Sequence, residues 1–180
     1  MAYVHPERKL IYLAHPRTAS VATASLLRDE LGFKQLGKHH DGARELEHHP
    51  RWIKDALRFT VVRNHYDATV SWAFKQRKMP LPLDWTSVKT LELALDNGWV
   101  KRDSMWRLHA DSSDVVMRYE TIDAELSKLL GLFIVLPRSN VSGARKGRSY
   151  QAFYKTPEMR RYIADRFASE LERYGYEFES

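Results

Sequence analysis

The sequence predicts an α/β fold in which a central parallel sheet is covered by helices on both faces, a three-layer α/β/α arrangement. Continuous apolar runs at residues 10–14 and 59–62 are typical of buried parallel strands. Each run is followed by residues with helical periodicity, and a further strand–helix unit begins at Val115. Strands that alternate with helices favour a parallel sheet, with ligands bound at the carboxyl ends of the strands.

The first strand leads into a helix whose apolar residues recur at helical spacing. Val21, Ala24, Leu26, Leu27 and Leu31 mark this helix, and Ser20 is the expected N-cap. The strand and helix are joined by a short polar loop. This joint is the first place where the fold would offer a ligand site.

The remaining elements follow in the same manner, and glycine and proline residues mark many of their ends. The sequence predicts a short strand at 33–36, short helices around 43–48 and from residue 50, a helix over 65–75, helices over 87–97 and 99–109, a strand at 115–120, a helix over 122–130, and a long amphipathic helix over 157–174 that Gly175 stops. No repeat, low-complexity tract or linker divides the chain. Residues 1–180 are therefore expected to form a single domain.

The composition restricts the classes of function. The chain has 29 Lys and Arg against 23 Asp and Glu, a net charge of +6, which indicates either an anionic partner or a solvated basic surface. It has no cysteine, which excludes disulfides, thiolate metal ligands and a cysteine nucleophile. No run approaches the roughly 18 apolar residues of a membrane span, and residues 1–9 lack the apolar core of a signal peptide. We therefore expect a soluble, cytoplasmic protein.

The loop at the first joint carries an arginine flanked by hydroxyl groups. A helix start offers unpaired backbone N–H groups, and Arg17 with Thr18 and Ser20 would add a guanidinium and two hydroxyls for an anion. The loop is not a Walker A sequence, because residues 15–23 contain neither glycine nor lysine. The alternative is that the two hydroxyls cap the helix and Arg17 is a surface charge.

The second joint carries Arg63 at the end of its strand. Ser71 follows eight residues later, about two helical turns, so both side chains can face the helix start and hold one phosphate group. The alternative is that Arg63 forms an ordinary structural ion pair with Asp67. Two anion sites at two strand–helix joints suggest a ligand with two phosphate-like groups.

The motifs, taken together, resemble those of sulfotransferases that use 3'-phosphoadenosine 5'-phosphosulfate (PAPS). They are His-Pro-Arg-Thr-Ala-Ser at 15–20, His-His at 39–40, Val-Arg-Asn-x-Tyr-Asp-x-x-Val-Ser at 62–71, Tyr-Glu at 119–120, Asn-Val-Ser at 140–142 and Tyr-Gly-Tyr-Glu-Phe at 174–178. The resemblance spans nearly the whole chain, and residues 62–71 are its most specific part. It implies a fold with the layout of the P-loop nucleotide kinases.

The resemblance assigns the 3'-phosphate of PAPS to Arg63 and Ser71. It also implies that a basic loop closes over this phosphate, formed by Arg145, Lys146 and Gly147. The alternative for these three residues is a mobile basic loop without a ligand.

The resemblance assigns the 5'-phosphosulfate to the first loop, where Arg17 would bind it and stabilise the departing oxygen electrostatically. Thr18, Ala19 and Ser20 would supply loop N–H groups and hydroxyls. Ala19 stands where the family usually has glycine, and Val21 stands where some members have threonine. His65, in the second segment, replaces a common proline.

The resemblance also places a catalytic base at the histidine pair. The acceptor hydroxyl must lose its proton, and histidine suits this role because its ordinary pKa lies close to the working pH. His40 is preferred over His39 because its five-residue spacing to Glu45 fits the related pattern better. The alternatives are a metal site formed with His48 and His49, or exposed histidines with no chemical role.

The sequence is therefore interpreted as a sulfotransferase that uses PAPS, releases adenosine 3',5'-bisphosphate and requires no metal. Its acceptor is a hydroxyl of a glycan, lipid or small molecule, and Trp85 in the proline-rich segment could line the acceptor site. Two other hypotheses are a P-loop-related kinase using ATP with magnesium and a non-catalytic module that binds a nucleotide or polyanion. The missing Walker lysine disfavours the kinase. Scattered basic residues disfavour nucleic acid as a partner.

Overall fold

The computed structural model of the chain describes residues 1–36, 46, 51–75, 85–96, 107–137, 145 and 147–179. The chain packs as two compact units. The first consists of Met1–Val62 and Asp103–Ser139, and the second of Arg63–Arg102 and Asn140–Ser180. The formation of one domain by residues 1–180 stays a prediction.

The bounds of the regular elements follow the chain in order. The strands are β1 (Ala2–His5), β2 (Leu10–Leu13), β3 (Lys34–Leu36), β4 (Leu57–Val62) and β5 (Val115–Arg118). The helices are α1 (Ser20–Ser25), α2 (Arg51–Lys54), α3 (His65–Ala73), α4 (Val88–Asp96), α5 (Ile122–Leu130), α6 (Pro157–Arg166) and α7 (Ala168–Arg173). A π-helical turn (Leu26–Glu30) continues α1, 3₁₀ turns occupy Tyr119–Thr121 and Tyr150–Phe153, and residues 107–111 are helical.

The first unit, in its described part, is built on a five-stranded mixed sheet with the order β3-β1-β2-β4-β5. Strands β2, β4 and β5 are parallel neighbours, whereas β1 is antiparallel to both β2 and β3. The α/β class and the parallel pairing of the predicted strands are confirmed. The sheet as a whole is not purely parallel.

Strand β1 makes the sheet mixed, and the sequence analysis does not predict it. It forms a hairpin with β2 in which Tyr3 lies opposite Tyr12, and the turn is closed by the Lys9 N–H donating to the Pro6 carbonyl at 3.2 Å. Lys9 adopts a positive φ of 50° in this turn. The strand has only four residues and lies next to a charged turn. An alternation of apolar and polar residues cannot be recognised over so short a stretch within the polar residues 1–9.

Buried side chains cover both faces of the sheet. Tyr12 and Phe59 belong to a cluster that includes Leu126 of α5, whereas Ile11 belongs to a second cluster that includes Ile53 of α2. Neighbouring residues of one strand thus enter different clusters, as expected for the two faces of a pleated strand. Each fully buried side chain of this size contributes about 1.5–3 kcal/mol.

The parallel strands bring their carboxyl ends to one edge of the sheet. Leu13 of β2 lies opposite Thr60 of β4, and the Thr60 hydroxyl donates to the Leu13 carbonyl at 2.7 Å. The loop 14–19 leaves this edge after β2, and Arg63 is the residue that follows β4. Both predicted anion-binding joints therefore begin at strand ends that this buried hydrogen bond keeps in register.

The second unit is helical in its described part. Every residue of α3 except Asp67 is buried, which makes α3 the central helix of the unit. The predicted helix over 65–75 ends at Ala73, and the one over 87–97 is α4. The predicted helix around 43–48 and residues 99–106 lie outside the described residues, except for Leu46, which is buried.

The long helix predicted over 157–174 is two helices. Thr156 caps α6 by accepting from the Met159 N–H at 3.4 Å, and Pro157 occupies the first turn. At Phe167 the backbone leaves helical geometry, with φ at −119°. The Phe167 ring is buried and stacks on His65, with 4.0 Å between ring centroids and 8° between planes. This tertiary contact, which periodicity cannot show, accounts for the break.

None of the described helices has the length and apolar character needed to cross a lipid bilayer.

Candidate anion-binding sites

The loop between β2 and α1 has an unusual backbone. Arg17 has φ of 72° and Ala19 has φ of 56°, so two residues with a Cβ adopt the left-handed conformation within three positions. This conformation costs a non-glycine residue roughly 1–2 kcal/mol. Strained residues of this kind cluster in loops that bind or react with ligands. The backbone geometry thus indicates the same loop that the sequence motif predicts to bind an anion.

The hydroxyl residues of this loop do not cap α1. Ala19 is the residue that precedes the helix, Ser20 is its first helical residue, and no described side chain caps the first turn. The expected N-cap at Ser20 is therefore wrong, as is the alternative that both hydroxyls cap the helix. The buried Thr18 hydroxyl instead donates to the His15 carbonyl at 2.8 Å and closes the loop on itself.

Replacement of Ala19 by glycine is expected to stabilise the folded protein by up to about 1.5 kcal/mol. Glycine removes the roughly 1–2 kcal/mol cost of the left-handed backbone. The greater conformational entropy of the unfolded chain with glycine offsets about 0.5–1 kcal/mol of this gain. Urea unfolding measures the difference. Ala22→Gly is the matched control, because Ala22 is helical and its replacement should cost about 1 kcal/mol. An Ala19→Gly protein that unfolds at lower urea than wild type would contradict the strain argument.

Two histidines and a tyrosine are buried next to this loop, and the sequence analysis gives them no role. His15 and His109 are buried and meet edge to face, with ring centroids 6.0 Å apart. Burial raises the pKa of the Tyr12 phenol far above its ordinary value, and the neighbouring Thr23 and Thr18 hydroxyls only partly offset this. In the sequence, the one sign of this buried group is that His15 directly follows an apolar strand.

The second joint is fixed by the Asn64 side chain. Its Oδ1 accepts from the Tyr66 N–H at 3.1 Å and caps α3, and its Nδ2 donates to the Glu177 carbonyl at 2.9 Å. The start of α3 is thus held both by its own cap and by the C-terminal segment. Arg63 lies immediately before this cap, at the point where the chain leaves β4.

Two arginines converge on one carboxylate at the start of α3. Arg63 donates from Nε and Nη2 to Oδ2 of Asp67, at 2.8 and 2.5 Å. Arg145 donates from Nη1 to Oδ1 of the same residue at 2.7 Å. The exposed fractions of the side chains are 9% for Arg63, 13% for Asp67 and 16% for Arg145, so solvent screens this cluster only weakly. The ion pair expected as an alternative is present, but it includes a second arginine.

Arg145 belongs to a turn that is closed on itself. Its Nε donates to the Arg148 carbonyl at 2.6 Å, and the Arg148 N–H donates back to the Arg145 carbonyl at 3.1 Å. Gly147 has φ of 70°, a conformation that favours glycine. The Arg148 guanidinium lies 4.6 Å from the centre of the Phe153 ring. The predicted basic loop therefore has a defined turn at Arg145, Gly147 and Arg148.

The predicted site residues fall into three groups. In the second unit, Arg63 and Arg145 meet at Asp67, Gly147 shapes the turn, and the buried Ser71 lies on α3 two turns after Arg63. In the first unit lie the four residues predicted to hold the phosphosulfate, Arg17, Thr18, Ala19 and Ser20. His39, His40, Lys146 and the other two histidines of the metal alternative, His48 and His49, lie outside the described residues.

Neither a known protein family, nor a curated protein, nor a solved structure matches this chain. The case for a function therefore depends on the geometry and the motifs alone. Within the described residues, no group of three or more His, Asp or Glu side chains could hold a metal ion.

A cluster of aromatic rings that was not predicted from the sequence supports the start of α3. The rings of Tyr66, Tyr150, Tyr154 and Phe178 pack edge to face or stacked at 5.0–6.4 Å. The Tyr154 hydroxyl donates to the Tyr66 carbonyl at 2.9 Å. Burial, with added effects of Tyr66 and Asp67, raises the pKa of the Tyr154 phenol well above its ordinary value. Tyr154 is therefore a neutral donor at physiological pH.

Proposed function

We propose that the chain is a sulfotransferase that transfers the sulfuryl group of PAPS to a hydroxyl of an acceptor. The observation that carries the proposal is the convergence of Arg63 and Arg145 at the start of α3. Both were selected for the 3'-phosphate from the sequence, although Arg145 lies 78 positions after its contact residue Asp67. A ribose 3'-phosphate separates PAPS from ATP, so this pair favours PAPS as the donor.

The pair has the charge and the donors that a phosphate requires. The two guanidinium groups and the Asp67 carboxylate sum to one positive charge in a partly buried place, where an anion is attracted more strongly than in water. In the described contacts Arg145 uses Nη1 and Nε, which leaves Nη2 to donate to a phosphate oxygen. Ser71 would add a hydroxyl from the same helix.

The first loop is proposed to hold the reacting end of the donor. The acceptor oxygen forms a new bond to sulfur as the bond from sulfur to the bridging phosphate oxygen breaks, and the negative charge moves to that oxygen. Arg17, which keeps its proton, would stabilise this charge electrostatically. His40 would take the proton of the acceptor hydroxyl. The proposal includes the three-layer layout of the P-loop nucleotide kinases, which the covered sheet faces support.

Binding of adenosine 3',5'-bisphosphate to the intact protein is the decisive experiment. Calorimetry should detect this product nucleotide, and a concentration of 100 times Kd should raise the stability by about 2.7 kcal/mol in a thermal-shift measurement. ATP with magnesium would be the best ligand of a kinase, and short nucleic acids the best ligands of a polyanion-binding module. Absence of calorimetric binding of adenosine 3',5'-bisphosphate would refute the proposal.

A further inference from the structure

Asp67 occupies an unusual place for a carboxylate in a proposed anion site. It is the one residue of α3 that is not buried, and each of its oxygens accepts from a different arginine. A negative charge in contact with both arginines repels a phosphate. The contacts of Asp67 with the two arginines indicate that it orients them and does not bind the ligand itself.

Two guanidinium groups that face the same anion repel each other before the anion arrives. The repulsion is considerable here because the side chains of Arg63 and Arg145 are largely buried. The Asp67 carboxylate cancels it within the protein. It also fixes the orientation of both guanidinium groups, so less ordering is needed when the ligand binds.

The contact also joins the basic turn to α3. The turn that contains Arg145 and Arg148 is closed by its own hydrogen bonds, and these bonds do not attach it to α3. Among the side-chain hydrogen bonds described for Arg145, the one to Asp67 joins this turn to α3. Without the Asp67 carboxylate, Arg145 would lose this hydrogen bond and would no longer be held beside Arg63.

We propose that Asp67 is a positioning residue that gathers Arg63 and Arg145 into a preformed pair specific for a phosphate on the 3' position of a nucleotide. The identity of the ligand rests on the proposed function, whereas the gathering of the two arginines does not. Asp67 acts through the arginines and makes no contact with the ligand.

The first test compares two nucleotides that differ in the 3'-phosphate. Asp67→Asn keeps the size of the side chain and removes its charge. In calorimetry, the affinity for adenosine 3',5'-bisphosphate should fall about tenfold or more, and the affinity for adenosine 5'-monophosphate should stay unchanged. Asp67→Glu should recover part of the lost affinity. An equal loss for both nucleotides, or tighter binding of the bisphosphate, would overturn the proposal.

The second test needs no nucleotide. Trypsin cleaves after arginine and lysine, and residues 145–148 offer three such bonds in sequence. Release of the turn should make Asp67→Asn several times more sensitive than wild type at these bonds, at a temperature where circular dichroism shows both proteins to be folded. Asp29→Asn is the matched control, because it removes an exposed arginine–carboxylate pair with Arg28.

The two tests separate the two proposals. If wild type binds neither nucleotide, the proposed function fails, and the cleavage rate alone decides whether Asp67 holds Arg145. Equal cleavage of Asp67→Asn and wild type at residues 145–148 would overturn the positioning role.

Discussion

Arg63→Ala is expected to reduce the affinity for adenosine 3',5'-bisphosphate by about a hundredfold or more. A hydrogen bond to a charged group is worth about 1.5–3 kcal/mol, and removal of Arg63 also removes the attraction of its positive charge for a phosphate. Because Asp67 keeps its bond to Arg145, the folded protein should lose much less stability than binding energy. Calorimetric titration of the variant with the bisphosphate measures the affinity, and urea unfolding measures the stability.

Arg63→Lys is the conservative control for this prediction. Lysine keeps the charge but not the planar fork, so its affinity should lie between those of wild type and Arg63→Ala. The affinity for adenosine 5'-monophosphate should change little in either variant. A variant that loses both nucleotides alike would show that Arg63 supports the fold of the site and not the 3'-phosphate.

His40→Ala is expected to lower the transfer rate by about 10²–10⁴-fold, the usual contribution of a positioned general base. Binding of adenosine 3',5'-bisphosphate should be unchanged, because a base acts on the acceptor hydroxyl and not on the donor nucleotide. The rate is followed as release of this nucleotide from PAPS, with an acceptor found by screening hydroxyl-bearing glycans, lipids and small molecules.

His39→Ala is the neighbouring control and should retain most of the activity. The wild-type rate should also fall at acidic pH, because a protonated imidazole cannot accept a proton. His40→Ala should lose this acidic decline. A decline that persists in His40→Ala but disappears in His39→Ala would assign the base to His39 instead.

The sequence predicted the elements whose signal is local. Strands β2 and β4 are continuous apolar runs, and α5 has helical periodicity, an acidic first turn and Gly131 after its last residue in the left-handed conformation. The two joints were found because an arginine follows an apolar strand in each. These features depend on neighbouring residues, so a single sequence is enough to show them.

The features that the sequence analysis missed depend on residues far apart in the chain. The break at Phe167 follows from its stacking on His65, and the second partner of Asp67 lies 78 positions away. The left-handed backbone of Ala19 was indicated only indirectly, by the glycine usual in the resembling family. Alanine itself gives no sign of such a conformation, because its preferred backbone is right-handed.

The hydrogen bond from Asn64 to Glu177 joins residues 113 positions apart, and this separation affects the order of events on the ribosome. Chains emerge from their N-terminus at about 5–20 residues per second, and domains generally fold as units. The residues of the first unit have all been made by position 139, whereas α3 must wait for the segment around Glu177. In the nascent chain, the sheet can therefore assemble while the apolar side chains of α3 still lack their C-terminal partners. During this interval the apolar side chains of α3 would be accessible to chaperones and proteases.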